Sequence, residues 1–499
     1  MFRKVLIANR GEIAVRIAQT LQQIGIRTVC VYSEADRRSL HVLSADDAYP
    51  LEGNTSAETY LRGDKILDIA LRHGVDAIHP GYGFLSESAG FARACQDAGI
   101  TFIGPTPEAL RAVGDKTTAK RIAADAGVPV VPGWFGAEDG EALTPAQAAG
   151  RLGYPVLIKA AAGGGGKGMR LIQKEPELRP AFEAAQREAG SAFGDSRVFL
   201  EKYMAQPRHV EIQIFGDHHG NIVHLFEREC SIQRRHQKIV EESPSPALTP
   251  ELRRNMGEAA IRVAKAVGYT NAGTVEFMLD ENGSFYFLEV NARLQVEHPV
   301  TEAVTGYDVV AAQVLVAAGE PLPFRQADLR QKGHAIECRI YAEDADRGFV
   351  PSTGVIEHYD PPSGLHVRVD SGVRAGSDVS IYYDPMLAKL IVWGQTRPQA
   401  IRRMSWALRH FAVLGVTTNI EFLQHLMEHP DFQRGRLNTH FLEEHRILAK
   451  QAGPTPPEAA IIAALAASSE SAAHRRGHEG GAKLETPNPW NTAGAWRLV

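Results

Sequence analysis

Residues 4 to 8 form a short apolar run that reads as a buried strand, and Ile13, Ile17, Leu21 and Ile24 recur at the spacing of an amphipathic helix over residues 12 to 24. A second apolar run spans Thr28 to Tyr32, and the same strand, helix, strand order returns through Asp76 to His79 and Ile100 to Ile103. That order predicts a parallel, doubly wound N-terminal domain ending near residue 115, with the loops after its strands turned toward a ligand. From about 130 to 205 the pattern predicts a smaller α/β segment. From 206 onward longer alternating strands predict a mostly antiparallel sheet with helices, an α+β lobe. Residues 447 to 485 turn rich in Ala, Ser, Pro and Gly and read as a tether, and residues 488 to 499, NPWNTAGAWRLV, read as the start of another module.

Composition narrows the class. The 499 residues are 44% hydrophobic and 23% charged with a formal net charge of -5, which fits a multi-domain globular enzyme and signals neither a nucleic-acid nor a membrane partner. The N-terminal MFRKVLIANRGEIAV lacks the apolar core and cleavage site of a signal peptide, and no run is long enough to span a bilayer, so a cytoplasmic location is expected. Cys30, Cys95, Cys230 and Cys338 are widely spaced without a CxxC pair, the pattern of small buried hydrophobes rather than of a disulfide framework or zinc site.

Three segments carry chemistry. Lys159 closes the apolar run PVLIK and is followed by Gly163, Gly164, Gly165, Gly166, Lys167 and Gly168. Such a stretch lets successive N–H groups approach phosphate oxygens, although a flexible surface loop has the same composition; GxxxxGK[ST] and GxGxxG are both absent. In Thr274 to Asn291, Asn282-Gly283 between two apolar strands predicts a two-residue type I′ hairpin with Glu281 facing Ser284. That register places Glu276 opposite Glu289, with Cβ atoms about 5 Å apart, and Asn291 on the face of Glu289. Two facing carboxylates with oxygen-only neighbours suit Mg²⁺ bound beside nucleotide phosphates, while a solvated acidic hairpin is the alternative. Next, Arg293, Gln295 and Glu297 alternate onto one side if their segment is extended. A guanidinium can hold a small planar anion such as bicarbonate and a neighbouring carboxylate can take its proton, though a surface charge ladder alternates likewise.

The ordered run of GEIAVRI, HPGYGFLSE, KAAAGGGGKGM, EKYM, RHVEIQI, RECSIQRRHQKIVEESP, FLEVNARLQVEHPVTE, ECRIYAED and YYDPMLAKL resembles biotin carboxylase, within the ATP-grasp superfamily, over roughly residues 1 to 446. The resemblance implies a Rossmann-like domain over 1–115, an ATP-grasp region over 116–330 with a glycine-loop lid at about 130–205, a C-terminal domain over 331–446, and a linker with the start of a further module over 447–499. It implies that ATP is held by Lys116, Lys159, the 163–168 loop, Met169 and His209, with Glu201, Lys202 and Met204 around adenine. Gln233 and His236, in motifs near the biotin pocket, are counted among the nucleotide's contacts. Glu276, Glu289 and Asn291 match the Mg²⁺ (or Mn²⁺) positions. Lys238, Arg293, Gln295, Val296 and Glu297 match the bicarbonate region, with Glu297 as base and Val296 contributing backbone. Arg339 matches the arginine for biotin's enolate oxygen, and Tyr82 lies near biotin.

The implied partners are a biotin carboxyl carrier protein or domain, a carboxyltransferase and a second copy in a homodimer or larger assembly. Residues 488–499, Tyr341 and Asp384 to Leu387 look more like an acyl-CoA carboxylase α subunit. No methionine immediately precedes a lysine, so biotin is expected on a separate chain or on a region after Val499. Another ATP-grasp ligase, the corresponding part of pyruvate carboxylase, and a non-catalytic nucleotide-binding module are the competing readings.

Overall fold

The computed structural model describes residues 1–136, 143–161, 169–445 and 447. Strands β1 (Lys4–Ile7), β2 (Arg27–Tyr32), β3 (Asp47–Pro50), β4 (Ala77–His79) and β5 (Thr101–Phe102) form an all-parallel sheet ordered β3-β2-β1-β4-β5. Helix α1 (Gly11–Gln23) connects the first two and buries Ile13, Ile17 and Leu21, as the spacing predicts. The apolar sides of β1 and β4 pack on both faces of this sheet, so its strands read as continuous hydrophobic runs.

A four-stranded antiparallel sheet follows, built from β6 (Gly133–Trp134), β7 (Val156–Ala160), β8 (Arg170–Ile172) and β9 (Val198–Lys202) in the order β6-β9-β7-β8. The largest sheet has eight strands. Its first six are β14 (Phe285–Asn291), β13 (Asn271–Leu279), β10 (Arg208–Gly216), β11 (Ile222–Arg234), β12 (Gln237–Ser243) and β15 (His334–Tyr341), and strands Met386–Gly394 and Val367–Ser371 complete it. Every pairing is antiparallel, and β12 hydrogen-bonds β15, so one sheet runs from residue 208 to residue 394.

The alternation in these strands sorts residues differently from a half-solvated sheet. On β10, Val210, Ile212 and Ile214 enter the apolar core, and the alternating His209, Glu211 and Gln213 are buried as well. The polar face therefore lines an interior of charges rather than water. All four cysteines are free and buried. Among the described residues no single helix is long and apolar enough to cross a membrane.

Candidate active site

The polar face of the large sheet and the strands β7 to β9 enclose a cavity of about 710 Å³. It is lined by Lys116, Lys159, Met169, Glu201, Lys202, Met204, His209, Gln233, His236, Lys238, Glu276, Glu289, Asn291, Arg293, Gln295, Val296, Glu297 and Arg339. The structure thus brings together every site residue named from the sequence except Tyr82 and the 163–168 loop. The loop lies outside the described residues. Tyr82 is absent from the cavity lining, and its phenol donates to Glu12.

The carboxylate pair has the expected facing but a different cause. The turn is not the two-residue I′ form: Asp280 and Ser284 close a three-residue loop, with Gly283 at φ 82° and the Asp280 N–H donating to the Ser284 carbonyl at 2.9 Å. This three-residue tip carries a left-handed glycine, as such loops commonly do. It shifts the register by one, so Phe277 pairs with Phe287; a bulge at Leu288 then restores it, and Glu276 pairs with Glu289. An actual pair of positive-φ turn residues lies between β11 and β12, at Arg235 (47°) and His236 (67°), where it aims His236 into the cavity beside Lys238.

Across β11, β10, β13 and β14 the register aligns Arg228, Glu211, Glu276 and Glu289 in one row. Lys238 binds three buried carboxylates at once, Glu211 at 2.5 Å, Glu276 at 2.8 Å and Glu297 at 2.7 Å. Arg339 donates to Glu241 at 2.7 Å and to the other oxygen of Glu297 at 2.9 Å. Burial alone would raise the Glu297 carboxyl, yet Lys238, Arg339 and Arg228 hold it well below the usual carboxylate range. Glu276 is likewise buried and held low by Lys238 and His209, whose Nε2 stands 3.0 Å from its carboxylate. Burial, with Lys116 nearby, pulls the Lys159 ammonium down to about 8.

Glu276 and Glu289 bring their carboxylates together with Asn291, whose amide N–H donates to Glu276 at 2.8 Å and whose amide oxygen accepts from Arg293 at 3.2 Å, and Lys116 stands 2.7 Å from Glu289. This donor set fits Mg²⁺ held together with phosphates. Gln233 donates to the Cys230 carbonyl at 2.8 Å and contacts His209 at 2.6 Å, which orients the imidazole.

The Arg293 to Glu297 segment is not an extended strand. It leaves β14 as irregular chain and turns at Val296 and Glu297 into helix His298–Thr305, so these side chains converge by a turn rather than by strand alternation. The Val296 carbonyl accepts from the buried Lys389 at 2.8 Å. Glu201 is buried, and its carboxylate is taken by Lys120 and Lys159. Lys202 donates to the Gly153 carbonyl at 2.8 Å, which ties β9 to the loop before β7.

Sequence reasoning missed Glu87, Lys120, Glu211 and Glu241. Only Glu211 had a usable signal, since it shares a strand face with His209. Glu87, in the loop after β4, accepts from Arg293 Nε at 2.9 Å and from the Ala292 N–H at 3.1 Å. Glu87→Gln should release Arg293 and, for the bicarbonate the sequence resemblance leads us to expect there, raise the KM about tenfold with a smaller change in kcat, the size expected for one charge-assisted hydrogen bond. Initial-rate kinetics at varied bicarbonate check this.

Family models cover this architecture end to end: Biotin carboxylase, N-terminal domain matches residues 1–110; Carbamoyl-phosphate synthase L chain, ATP binding domain matches 115–325; Biotin carboxylase C-terminal domain matches 337–444. The biotin carboxylase of Halalkalibacterium halodurans is 52% identical over 89% of this chain and 98% of its own length. The chain belongs to the biotin carboxylase family. It is also similar to the mitochondrial methylcrotonoyl-CoA carboxylase α subunit of Dictyostelium discoideum, at 50% identity over 99% of this chain and 70% of that protein. The Arabidopsis thaliana α subunit is 52% identical over 92% of this chain, which spans 63% of that relative's length. Among solved structures, the biotin carboxylase domain of Hydrogenobacter thermophilus 2-oxoglutarate carboxylase, a dimer with MgADP and bicarbonate, superposes with a TM-score of 0.87 at 47% identity, covering 91% of this chain and all of that one. Membership in this ATP-dependent ligase family accounts for the mixed architecture, a parallel sheet beside antiparallel sheets of which the largest have four and eight strands.

Proposed function

We propose that this biotin carboxylase family chain activates bicarbonate with ATP as carboxyphosphate and carboxylates carrier-borne biotin, the first half-reaction of a biotin-dependent carboxylase. One observation carries the reading: Glu297, wholly buried, is clamped between Lys238 and Arg339. At neutral pH Glu297 is ionised and, while both cations hold it, weakly basic. Bicarbonate drawn onto Arg293 and Lys238 takes part of that cationic hold away and restores the carboxylate's affinity for a proton.

Glu297 then removes the bicarbonate proton, and the bicarbonate oxygen forms its bond to the γ-phosphorus of ATP as the bond to ADP breaks. Lys116, Lys159 and Lys238 meet the charge on the transferring phosphoryl oxygens with preorganised donors. Glu276, Glu289 and Asn291 are the residues that would hold Mg²⁺, which when bound supplies further charge neutralisation at the phosphates. Carboxyphosphate breaks into CO₂ and phosphate; phosphate takes the ureido N–H proton of biotin, Arg339 stabilises the enolate oxygen, and the nitrogen bonds CO₂. The burial of Glu297 and Arg339 suits a sequence with a water-sensitive intermediate.

The domain division proposed for this chemistry is 1–115, 116–330 and 331–446, followed by a linker with the start of a further module. The alignment with the Dictyostelium subunit extends over 99% of the chain, beyond the C-terminal family match, and favours an acyl-CoA carboxylase of the methylcrotonoyl-CoA type. A biotin carrier, a carboxyltransferase and a second copy of this chain are the proposed partners. The relatives named mitochondrial favour the compartment that houses such a complex in each organism rather than the cytoplasm in general.

The test is ADP release with MgATP, bicarbonate and free biotin, omitting each in turn; turnover indifferent to bicarbonate and biotin would overturn the proposal. Arg339→Ser should depress carboxybiotin formation about 10²- to 10³-fold, the range for loss of one oxyanion donor. Carboxybiotin is measured directly, and wild-type levels would remove Arg339 from the biotin step.

A further inference from the structure

The large sheet buries two carboxyls that none of these steps uses. Glu241 on β12 and Glu337 on β15 are directly paired across the antiparallel ladder, and both are fully buried. Directly paired residues share a sheet face, with Cβ atoms about 5 Å apart. One oxygen of Glu241 accepts from Arg339 at 2.7 Å. Its other oxygen, and both oxygens of Glu337, have no hydrogen-bond partner among the described residues.

The charged groups facing this pair come from four elements: Arg339 on β15, Lys389 on strand Met386–Gly394, Lys238 on β12, and Glu297 at the start of helix His298–Thr305. None of them hydrogen-bonds Glu337. Arg339 is divided between Glu241 and Glu297, and Lys238 among Glu211, Glu276 and Glu297. Lys389 is engaged by Glu12 at 3.2 Å, Asp370 at 3.7 Å and the Val296 carbonyl at 2.8 Å. Burial pushes the Glu337 carboxyl well above its ordinary range and Glu241 up to about 7. Two adjacent buried carboxyls with one shared cation do not both ionise; they titrate as a pair.

We propose that Glu241 and Glu337 share one proton and serve as a positioning pair for Arg339. With that proton in place Arg339 faces one full carboxylate, Glu297, and a half-neutralised pair, so it retains positive charge for an incoming oxyanion. When Arg339 turns from Glu241 toward the ureido oxygen of biotin, the O–H bond on Glu337 breaks and one forms on Glu241, which leaves the negative charge on Glu337 beside Lys389. The placement of biotin at Arg339 rests on the function proposed above; the shared proton does not.

Infrared difference spectroscopy of the protonated-carboxyl stretch tests the pair without reference to turnover. At neutral pH the wild-type protein should show one carboxylic-acid band that Glu241→Gln and Glu337→Gln each alter, by removal or by a shift in frequency, with retained MgATP binding checking that each variant is folded. A band unchanged in position and intensity in either variant assigns the proton to the residue that variant retains and overturns sharing. A wild-type titration gives a second reading that needs no variant: a buried acid retained through neutral pH and lost only at alkaline pH is expected, and its absence overturns the proposal. Both variants should also lose the alkaline step in the pH profile of biotin-dependent turnover. An unchanged step, with the infrared result in place, overturns the positioning role.

Discussion

Glu297→Gln should reduce bicarbonate-dependent ADP release by about 10³- to 10⁴-fold, toward the upper end of what loss of a general base costs, while MgATP still binds. The amide cannot take a proton from bicarbonate. It also turns one acceptor into a donor between Lys238 and Arg339, both of which only donate. Whichever way the amide faces, one of the two cations loses its acceptor at this position. The nucleotide contacts proposed at Lys116, Lys159 and His209 lie on other strands and helices, so binding measured by calorimetry should stay within a few-fold of wild type. A loss of turnover below tenfold would remove Glu297 from the role of base.

Lys238→Met should act on stability as well as on turnover. The substitution roughly preserves the aliphatic stem and removes the ammonium shared by Glu211, Glu276 and Glu297. Breaking a buried ion pair by deleting one partner costs about 3–5 kcal/mol, because the carboxylates left behind keep their desolvation cost. Arg228, His209 and Arg339 each still hold one of the three, which places the expected loss toward the lower end.

The pH dependence supplies the sharper test. In the wild type, Glu276 and Glu297 are held below their unfolded values. Their contribution is therefore present above the ordinary carboxylate pKa and lost as pH falls through the depressed values. In the variant burial dominates, the same carboxyls rise above their unfolded values, and folding takes up protons. Stability should then improve, relative to wild type, as the solution is made mildly acidic. Denaturant midpoints measured from neutral to mildly acidic pH check the reversal; a constant offset between the two proteins would contradict it. Turnover should fall at least 10²-fold, since Lys238 donates to the proposed base Glu297 and stands at the proposed bicarbonate position.

How much of this was legible in the sequence depends on what kind of information each element carries. Helix α1 and the parallel sheet declared themselves through apolar spacing alone, because burial of one stripe or of both faces leaves a direct periodic trace. The facing of Glu276 and Glu289 was reached through two errors that cancel. Asn282-Gly283 has the composition of a two-residue turn, but Asp280 and Ser284 close a wider one, and Leu288 takes up the difference. Arg235-His236 shows the opposite case: a tight turn with both φ positive carries neither Gly nor Asn, so local propensity gave no hint of it. Glu211 escaped because a charged residue alternating with Val and Ile reads as a solvated face. Here that face is interior, and only the counter-charges brought from distant parts of the chain make it so. Arg293 to Glu297 were correctly grouped, although they converge through a turn into a helix and not along a strand.

The bulge at Leu288 has a consequence for how this hairpin can vary. Phe287 pairs with Phe277 and Glu289 with Glu276, and Leu288 stands unpaired between them, on the cavity side together with Glu289. Phe287 and Val290 flank them in the core. Losing Leu288 alone would therefore straighten the strand and leave Glu289 opposite Glu276, with the core and cavity sets unchanged. The strand carries one residue of slack ahead of its carboxylate, and functional descendants of this chain should be found with Leu288 deleted and Glu289 still facing Glu276.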